Sequence, residues 1–305
     1  MNERTHTENY VLMTAAHNEG AFIEETIKSV LAQSVRPARW AIVSDGSTDK
    51  TDEIVEAYAR GNEFIRFLKL ARPAGRSYGS KGHALNNATK LLEGALFQFI
   101  GNLDADITLE PNYYEMLMAR FDLDPQLGLV SGLICERRGG TFEGRASNRI
   151  DSVSHAAQLL RHECYRAIGG YSILKYGGED WYAQQCAKMN GWTAYTIPSL
   201  KVFHHRNTGT SNRAFRRQFR AGRVDHSMGS DPVFELLKCG VRVRETPWVL
   251  GAMTRFLGFL WSTICGEPRP VSREFVQFLR KEQRTKILGL FNGTGRRRLP
   301  GAQDS

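Results

Sequence analysis

Five cysteines in 305 residues stand far apart (Cys135, Cys164, Cys186, Cys239 and Cys265), and no two form a C-x-x-C pair. That spacing argues against a zinc ribbon or a disulfide framework and fits a reducing compartment. The N-terminal stretch MNERTHTENYVLMTAAHNEG has no cationic segment followed by an apolar core and a small-residue cleavage site. Export by a signal peptide is therefore not expected, and the chain is expected in the cytoplasm. No internal repeat is visible. The first apolar run leads into AAHNEGAF rather than a G-x-G-x-x-G turn, which argues against a dinucleotide-dependent oxidoreductase. The glycine-rich basic opening loop of a sugar-nucleotide pyrophosphorylase is missing too. Only one stretch, PWVLGAMTRFLGFLWSTICG at 247–266, is long and apolar enough to reach across a bilayer, and Arg255 near its middle makes spanning costly.

What is present is an ordinary globular composition, 41% apolar and 24% charged, with an uneven charge distribution. Residues 1–200 carry 21 Lys and Arg against 24 Asp and Glu, a net of −3, whereas residues 201–305 carry 20 against 8, a net of +12. A basic C-terminal third points to an anionic partner: phosphates, nucleic acid or a lipid surface. Aromatic and basic residues interleave weakly there, so nucleic acid is not the expected partner.

Along the first hundred residues, strand-like and helix-like segments alternate. YVLMTAA (10–16) reads as a buried strand, and RWAIVSD (39–45), FIRFLKL (64–70) and LFQFIG (96–101) as further strands. FIEETIKSVLAQS, STDKTDEIVEAYAR and HALNNATKLLEGA read as helices, the second capped by Ser47 or Thr48. Such alternation means right-handed crossovers and an α/β fold with a mostly parallel central sheet. Further on, LGLVSGLIC, TAYTI and LKVFHH read as strands, and RHECYRAIGGY and GGEDWYAQQCAKMNGW as helices. Beyond about residue 210 the chain reads as helical and basic, with a disordered tail from about 293. Residues 1–210 are expected to form one α/β domain and residues 211–305 a basic helical extension.

In parallel α/β sheets ligands bind beyond the carboxyl ends of the strands, and that is where the acids fall. Asp104 and Asp106, in FQFIGNLDADITLEP, repel each other unless a cation or donors lie between them. A divalent metal with a diphosphate is the chemical reading, and helix capping the structural one. Asp45, in SDGSTDKT, can accept hydrogen bonds from a nucleobase or ribose, or simply build a turn. Glu179 and Asp180, behind Gly177 and Gly178, sit at a helix N-terminus, where acids suit the dipole. A carboxylate there can also take a proton from an acceptor hydroxyl, with Trp181 and Tyr182 as flat sugar-binding surfaces. His204 and His205 end a strand before Arg206, a grouping suited to a metal and a phosphate.

Taken in order, AAHNEGAFIEETIKSVLAQS, AIVSDGSTDKT, SKGHALNNA, GNLDADITLEP, CYRAIGGY, GGEDWYAQQCAKMNGW and KVFHHRNTG resemble the motifs of the family 2 glycosyltransferases. The match covers about residues 9–210. The resemblance implies the Rossmann-like, A-type nucleotide-sugar-binding fold. It also implies transfer of a hexosyl group from a nucleotide diphosphate (UDP- or GDP-linked) donor with inversion. It places Ala15, His17, Glu19, Asp45, Lys81 and Asp104 at the donor, although Ser80 replaces the glycine that usually precedes the lysine. It makes Asp106, with Asp104 and His204, the holder of Mn2+ or Mg2+, Asp180 the base supported by Glu179, and Trp181 and Tyr182 the acceptor contacts. A glycan or polyprenyl-diphosphate-linked acceptor, and a role in surface polysaccharide synthesis, follow from the same likeness. The rival reading is a catalytically silent nucleotide-sugar-binding scaffold at the membrane. Residues 247–266 are read as an interfacial helix anchored by Trp248 and Trp261 on an anionic membrane surface, or alternatively as a helix packed on the catalytic domain. The interfacial reading places the chain peripherally on the cytoplasmic face.

Overall fold

The computed structural model describes residues 10–71, 80–145, 148–206, 214–244 and 248–291. The glycine- and arginine-rich loop at 72–79 and the tail expected to be disordered lie outside the described residues. The chain divides into two compact units, one ending at residue 208 and one starting at 209.

The first unit is built on a nine-stranded sheet. Strands β1 (Tyr10–Ala16), β2 (Arg39–Asp45), β3 (Ile65–Leu70) and β4 (Phe99–Leu103) pair in parallel in the order β3-β2-β1-β4. Helices α1 (Ile23–Leu31), α2 (Thr51–Gly61) and α3 (Ser80–Leu91) are the crossovers. In α1, Ile23, Ile27 and Val30 repeat at helical spacing and are buried, while Lys28 reaches back to Glu24 and Glu25 on the exposed face. Strand order turns back on itself between β1 and β4, so the chain leaves these two neighbours in opposite directions and opens a crevice at their carboxyl ends.

Beyond β4 the sheet becomes mixed. It continues through β8 (Ala157–Arg161), β6 (Leu127–Arg138), β9 (Thr193–His204) and β5 (Ile107–Leu109), with β7 (Thr141–Gly144) paired to β6 alone. Antiparallel β8 fits between β4 and β6, and β5 pairs antiparallel with β9, Ile107 opposite His204. Helices α4 (Tyr113–Leu123), α5 (His162–Ala167) and α6 (Glu179–Met189) complete the unit. Two segments read as separate strands, TAYTI and LKVFHH, are one twelve-residue strand. Its pairing with β6 jumps from Ile197–Gly132 to Lys201–Leu133, so Pro198 falls in a bulge where its missing N–H costs no ladder bond.

The second unit is helical: α7 (Ala214–Ser227), α8 (Pro232–Val241), α9 (Trp248–Ile264) and α10 (Arg273–Phe291). Asp231 caps α8 by accepting from the Val233 and Phe234 amides at 2.9 and 3.4 Å, ahead of Pro232 at the first helical position. Helices α7 and α9 cross at two glycines. A Cβ on Gly222 would collide with the Arg255 carbonyl, and one on Gly258 with the Phe219 carbonyl. Among the described residues no helix is long and apolar enough to cross a membrane.

Candidate active site

The crevice is shaped by two loops sewn together. Asn18, at the left-handed φ of 53°, accepts from the Thr48 amide at 2.8 Å through its side-chain oxygen, while its own amide donates to Ser47 Oγ at 3.1 Å. Thr51 Oγ1 accepts from the Glu19 amide, and Asp49 Oδ2 from that of Gly20. Ser47 and Thr48, read from sequence as caps of α2, thus bind the neighbouring loop instead. The helix begins later, at Thr51, with Asp49 Oδ1 accepting from its amide at 3.0 Å. His17 Nδ1 donates to the Asp45 carbonyl at 2.8 Å and fixes the end of β2. Ala15, His17 and Asp45 are all half-buried at this edge.

The turn carrying Asp104 and Asp106 is held from below. Trp40 Nε1 donates to Thr14 Oγ1 at 3.0 Å, and Thr14 donates in turn to the Leu103 carbonyl at 2.7 Å. Thr26 of α1 donates to the Ala105 carbonyl at 3.0 Å. All three side chains are buried, so the backbone that presents the acids is anchored in the core.

The two acids then diverge. Asp104 accepts from Lys81 Nζ at 2.6 Å and from Asn102 Nδ2 at 3.1 Å. Asp106 lies 3.3 Å from His204 Nε2 and accepts from Arg206 Nε at 3.2 Å. The other end of Arg206 pairs with Glu19. Each like charge therefore has its own protein cation, which answers the repulsion implied by their spacing.

The electrostatics follow. Burial resists ionisation of Asp106, but His204, Arg206 and Lys81 outweigh it and hold its carboxyl below the usual range. The hydrogen bond to Asp106 raises His204 against the opposing effect of burial. Glu19 is pushed up to about 7, first by burial and then by the nearby Asp106, with Arg206 pulling the other way.

At the start of α6, Gly177 and Gly178 take φ of 87° and 96°, a turn that side chains with a Cβ rarely allow. It delivers Glu179 and Asp180 in the first helical turn. Burial, and then Asp180, raise the Glu179 carboxyl, and Lys81 lowers it, so the α6 start faces the same lysine that binds Asp104. Glu179 Oε1 is buried without a hydrogen-bond partner. Asp180 Oδ1 accepts from the Trp181 amide at 2.7 Å. Trp181 is 37% exposed, whereas the half-buried Tyr182 hydrogen-bonds Ser172 and Cys186.

Three features were not read from sequence. Arg206 bridges Glu19 and Asp106, a link between residues 187 apart. Glu136 on β6 lies opposite His204 in the ladder, 3.9 Å from its Nδ1, and pairs with Arg145 at 3.2 Å. Asn102 sits beneath Asp104 and also donates to the carbonyl of the buried His155. His205 belongs elsewhere: its Nε2 is 2.8 Å from Thr108 Oγ1, and its ring meets Phe142 edge-on.

The glycosyl transferase family 2 model matches residues 12–177, more than half of the chain and all of the crevice but Asp180, His204 and their neighbours. The chain belongs to that family. Its fold is the A-type glycosyltransferase fold. Among curated relatives, the poly-beta-1,6-N-acetyl-D-glucosamine synthase of Staphylococcus aureus is 32% identical over 152 residues, covering 50% of this chain and 34% of the relative. The Staphylococcus epidermidis protein of the same name is 28% identical over 130 residues, covering 43% and 29%. The chain thus matches about a third of the length of those relatives. Among solved structures, the mannosyltransferase PcManGT from Pyrobaculum calidifontis, in complex with GDP-Man and Mn2+, superposes with a TM-score of 0.57 at 16% identity, covering 95% of this chain and 84% of that one. The first 349 residues of S. aureus TarS, in complex with UDP-GlcNAc, superpose with a TM-score of 0.52 at 14% identity, covering 91% and 83%.

Among the described residues no three His, Cys, Asp or Glu side chains gather into a complete metal cage. A smaller donor set does fit a divalent cation. Asp106 Oδ2 and His204 Nε2 are 3.3 Å apart, a carboxylate and an imidazole able to share one ion whose remaining positions are left to a ligand. Asp104, turned toward Lys81, is not part of that pair.

Proposed function

We propose that the chain is a glycosyltransferase that moves a hexosyl group from a UDP- or GDP-linked donor to an acceptor hydroxyl, with inversion and with Mn2+ or Mg2+ bound. The observation that supports this is the gathering of Glu19, Asp104, Asp106 and His204 with Lys81 and Arg206 at the carboxyl edge of the sheet. Asp106 and His204 would hold the cation, which when bound offsets the charge of the departing diphosphate. Asp45, with Ala15 and His17, borders the nucleoside. The Lys81–Asp104 contact is 40% exposed on the lysine side and contributes little to stability, so Lys81 can turn to a phosphate at small cost.

Asp180 takes the proton of the acceptor hydroxyl as that oxygen bonds to the anomeric carbon. The carbon–oxygen bond to the diphosphate breaks on the opposite face, and its electron pair leaves with the nucleotide. Glu179, whose carboxyl burial and Asp180 raise, stands beside the base in the first turn of α6. Trp181 offers a flat surface to the acceptor sugar. The name of the staphylococcal relatives, poly-beta-1,6-N-acetyl-D-glucosamine synthase, supports a glycan acceptor; a polyprenyl-diphosphate carrier and a role in surface polysaccharide synthesis are proposed with it.

The test is nucleoside diphosphate release from a panel of UDP- and GDP-sugars with glycan acceptors. Release is expected with one donor class. Asp180→Asn should lower turnover by at least about a hundredfold, the scale of a lost general base, while donor affinity stays within about twofold. Unchanged turnover would remove Asp180 as the base. Donor binding without release from any sugar would point to a silent scaffold.

A further inference from the structure

In the second unit, α8 and α9 are built inside out. Within it, Arg255 of α9 pairs with Asp225 of α7 at 2.5 Å and with Glu235 of α8 at 3.2 Å, and Lys238 joins both acids at 2.7 and 3.2 Å. Glu235 is 0% exposed. The rest of the inward face of α9 is Gly251, Ala252, Gly258, Phe259 and Ser262, mostly small residues that allow the close crossing with α7. The outward face is the opposite. Leu250, Met253, Leu257, Trp261 and Ile264 recur every three or four residues, and each is 55–82% exposed. On α8, Val233, Leu236 and Val241 are likewise 55–77% exposed while Glu235 and Lys238 turn inward.

A helix on a water-facing surface shows the reverse pattern, apolar residues in and charges out. Two adjacent helices with the same inversion exceed the scattered apolar residues found on ordinary surfaces. Charge selects the occupant. The basic excess of residues 201–305 would repel a second copy of the chain but draw it to an anionic surface. Arg269, Arg273, Lys281 and Lys286 are exposed on and before α10. Helix α9 has 17 residues and is too short and too polar on its inner side to span, which leaves in-plane seating.

We propose that the outward faces of α8 and α9 insert into one leaflet of an anionic lipid bilayer, with the ion-pair cluster held on the protein side. This goes beyond the transferase reading and does not depend on it. The experiment is sedimentation of the full chain with vesicles of phosphatidylcholine alone and with added phosphatidylglycerol, beside light scattering without lipid. Binding to the anionic vesicles is expected, weakened by high salt as screening shortens from about 10 to about 3 Å between 0.1 and 1 M. The double substitution Leu257→Glu, Trp261→Glu touches only exposed side chains and should weaken vesicle binding at least about tenfold with an unchanged melting temperature. Quenching of tryptophan fluorescence by brominated acyl chains in the unaltered chain gives a readout that does not need the variant. Absence of vesicle binding, binding indifferent to the substitution, or a lipid-free dimer that the substitution dissociates would each overturn the proposal.

Discussion

At the scale of single residues, Glu19, Asp104 and Asp106 of the crevice each lie against a protein cation. Its charge state should show in pH. Glu19 has its folded pKa raised from 4.5 to about 7, so the folded chain binds that proton more tightly than the unfolded chain. The stabilisation this gives is fully present below 4.5 and is lost as pH rises through 7. Urea unfolding of the metal-free chain should show stability falling across that window, and Glu19→Gln should flatten the slope. A slope unchanged in the variant would assign the proton elsewhere. Residue identity was legible in sequence where an acid ends an apolar run, as at Asp45, Asp104 and Asp106. It was not legible for Glu136, one acid in ICERR, which gains meaning only from the ladder position opposite His204. Nor was the role of Arg206 legible, because its partner Glu19 lies in the first loop of the chain.

At the scale of elements, the four parallel strands were legible because each is a short, largely apolar segment alternating with helix-period segments, though of β3 only Ile65 is buried. Strand β8 was not. AQLLR has no alternation and runs straight into a helix, and it is extended because antiparallel pairing with β4 and β6 fills the slot between them. The bulge that makes one strand of Thr193–His204 was hidden for a related reason, since Pro198 reads locally as a break. Helix α9 is the clearest case of context deciding. Arg255, costly in a spanning segment, is a partner in a buried ionic cluster whose Asp225 is held below its ordinary pKa by Lys238 and Arg255 against the effect of burial. Arg255→Met should destabilise the chain by about 3–5 kcal/mol in urea unfolding, because it leaves two inward acids short of a cation. A loss below about 1 kcal/mol would show the cluster to be solvated and its pairs to be of the weak surface kind.

At the scale of the whole molecule, the charge split read from composition matches a division of labour between the units. The nearly neutral first unit, with 23 Lys and Arg against 24 Asp and Glu, carries the crevice, and the basic second unit carries the outward apolar faces. The order of motifs made the fold class legible, since strands alternating with helices build a parallel sheet whose carboxyl ends share one edge. The inversion of α8 and α9 needed three dimensions, because side-chain burial, not hydropathy, tells which face of an amphipathic helix is inside. The central claim is that the strand-end acids serve a nucleotide diphosphate through a divalent cation. Calorimetric titration of UDP and GDP, in Mn2+ and in EDTA, on the unaltered chain and on Asp106→Ala, tests it most directly. One nucleotide should bind in Mn2+, with affinity falling at least about tenfold both in EDTA and in the variant. Binding that survives both, or no binding of either nucleotide, would contradict it.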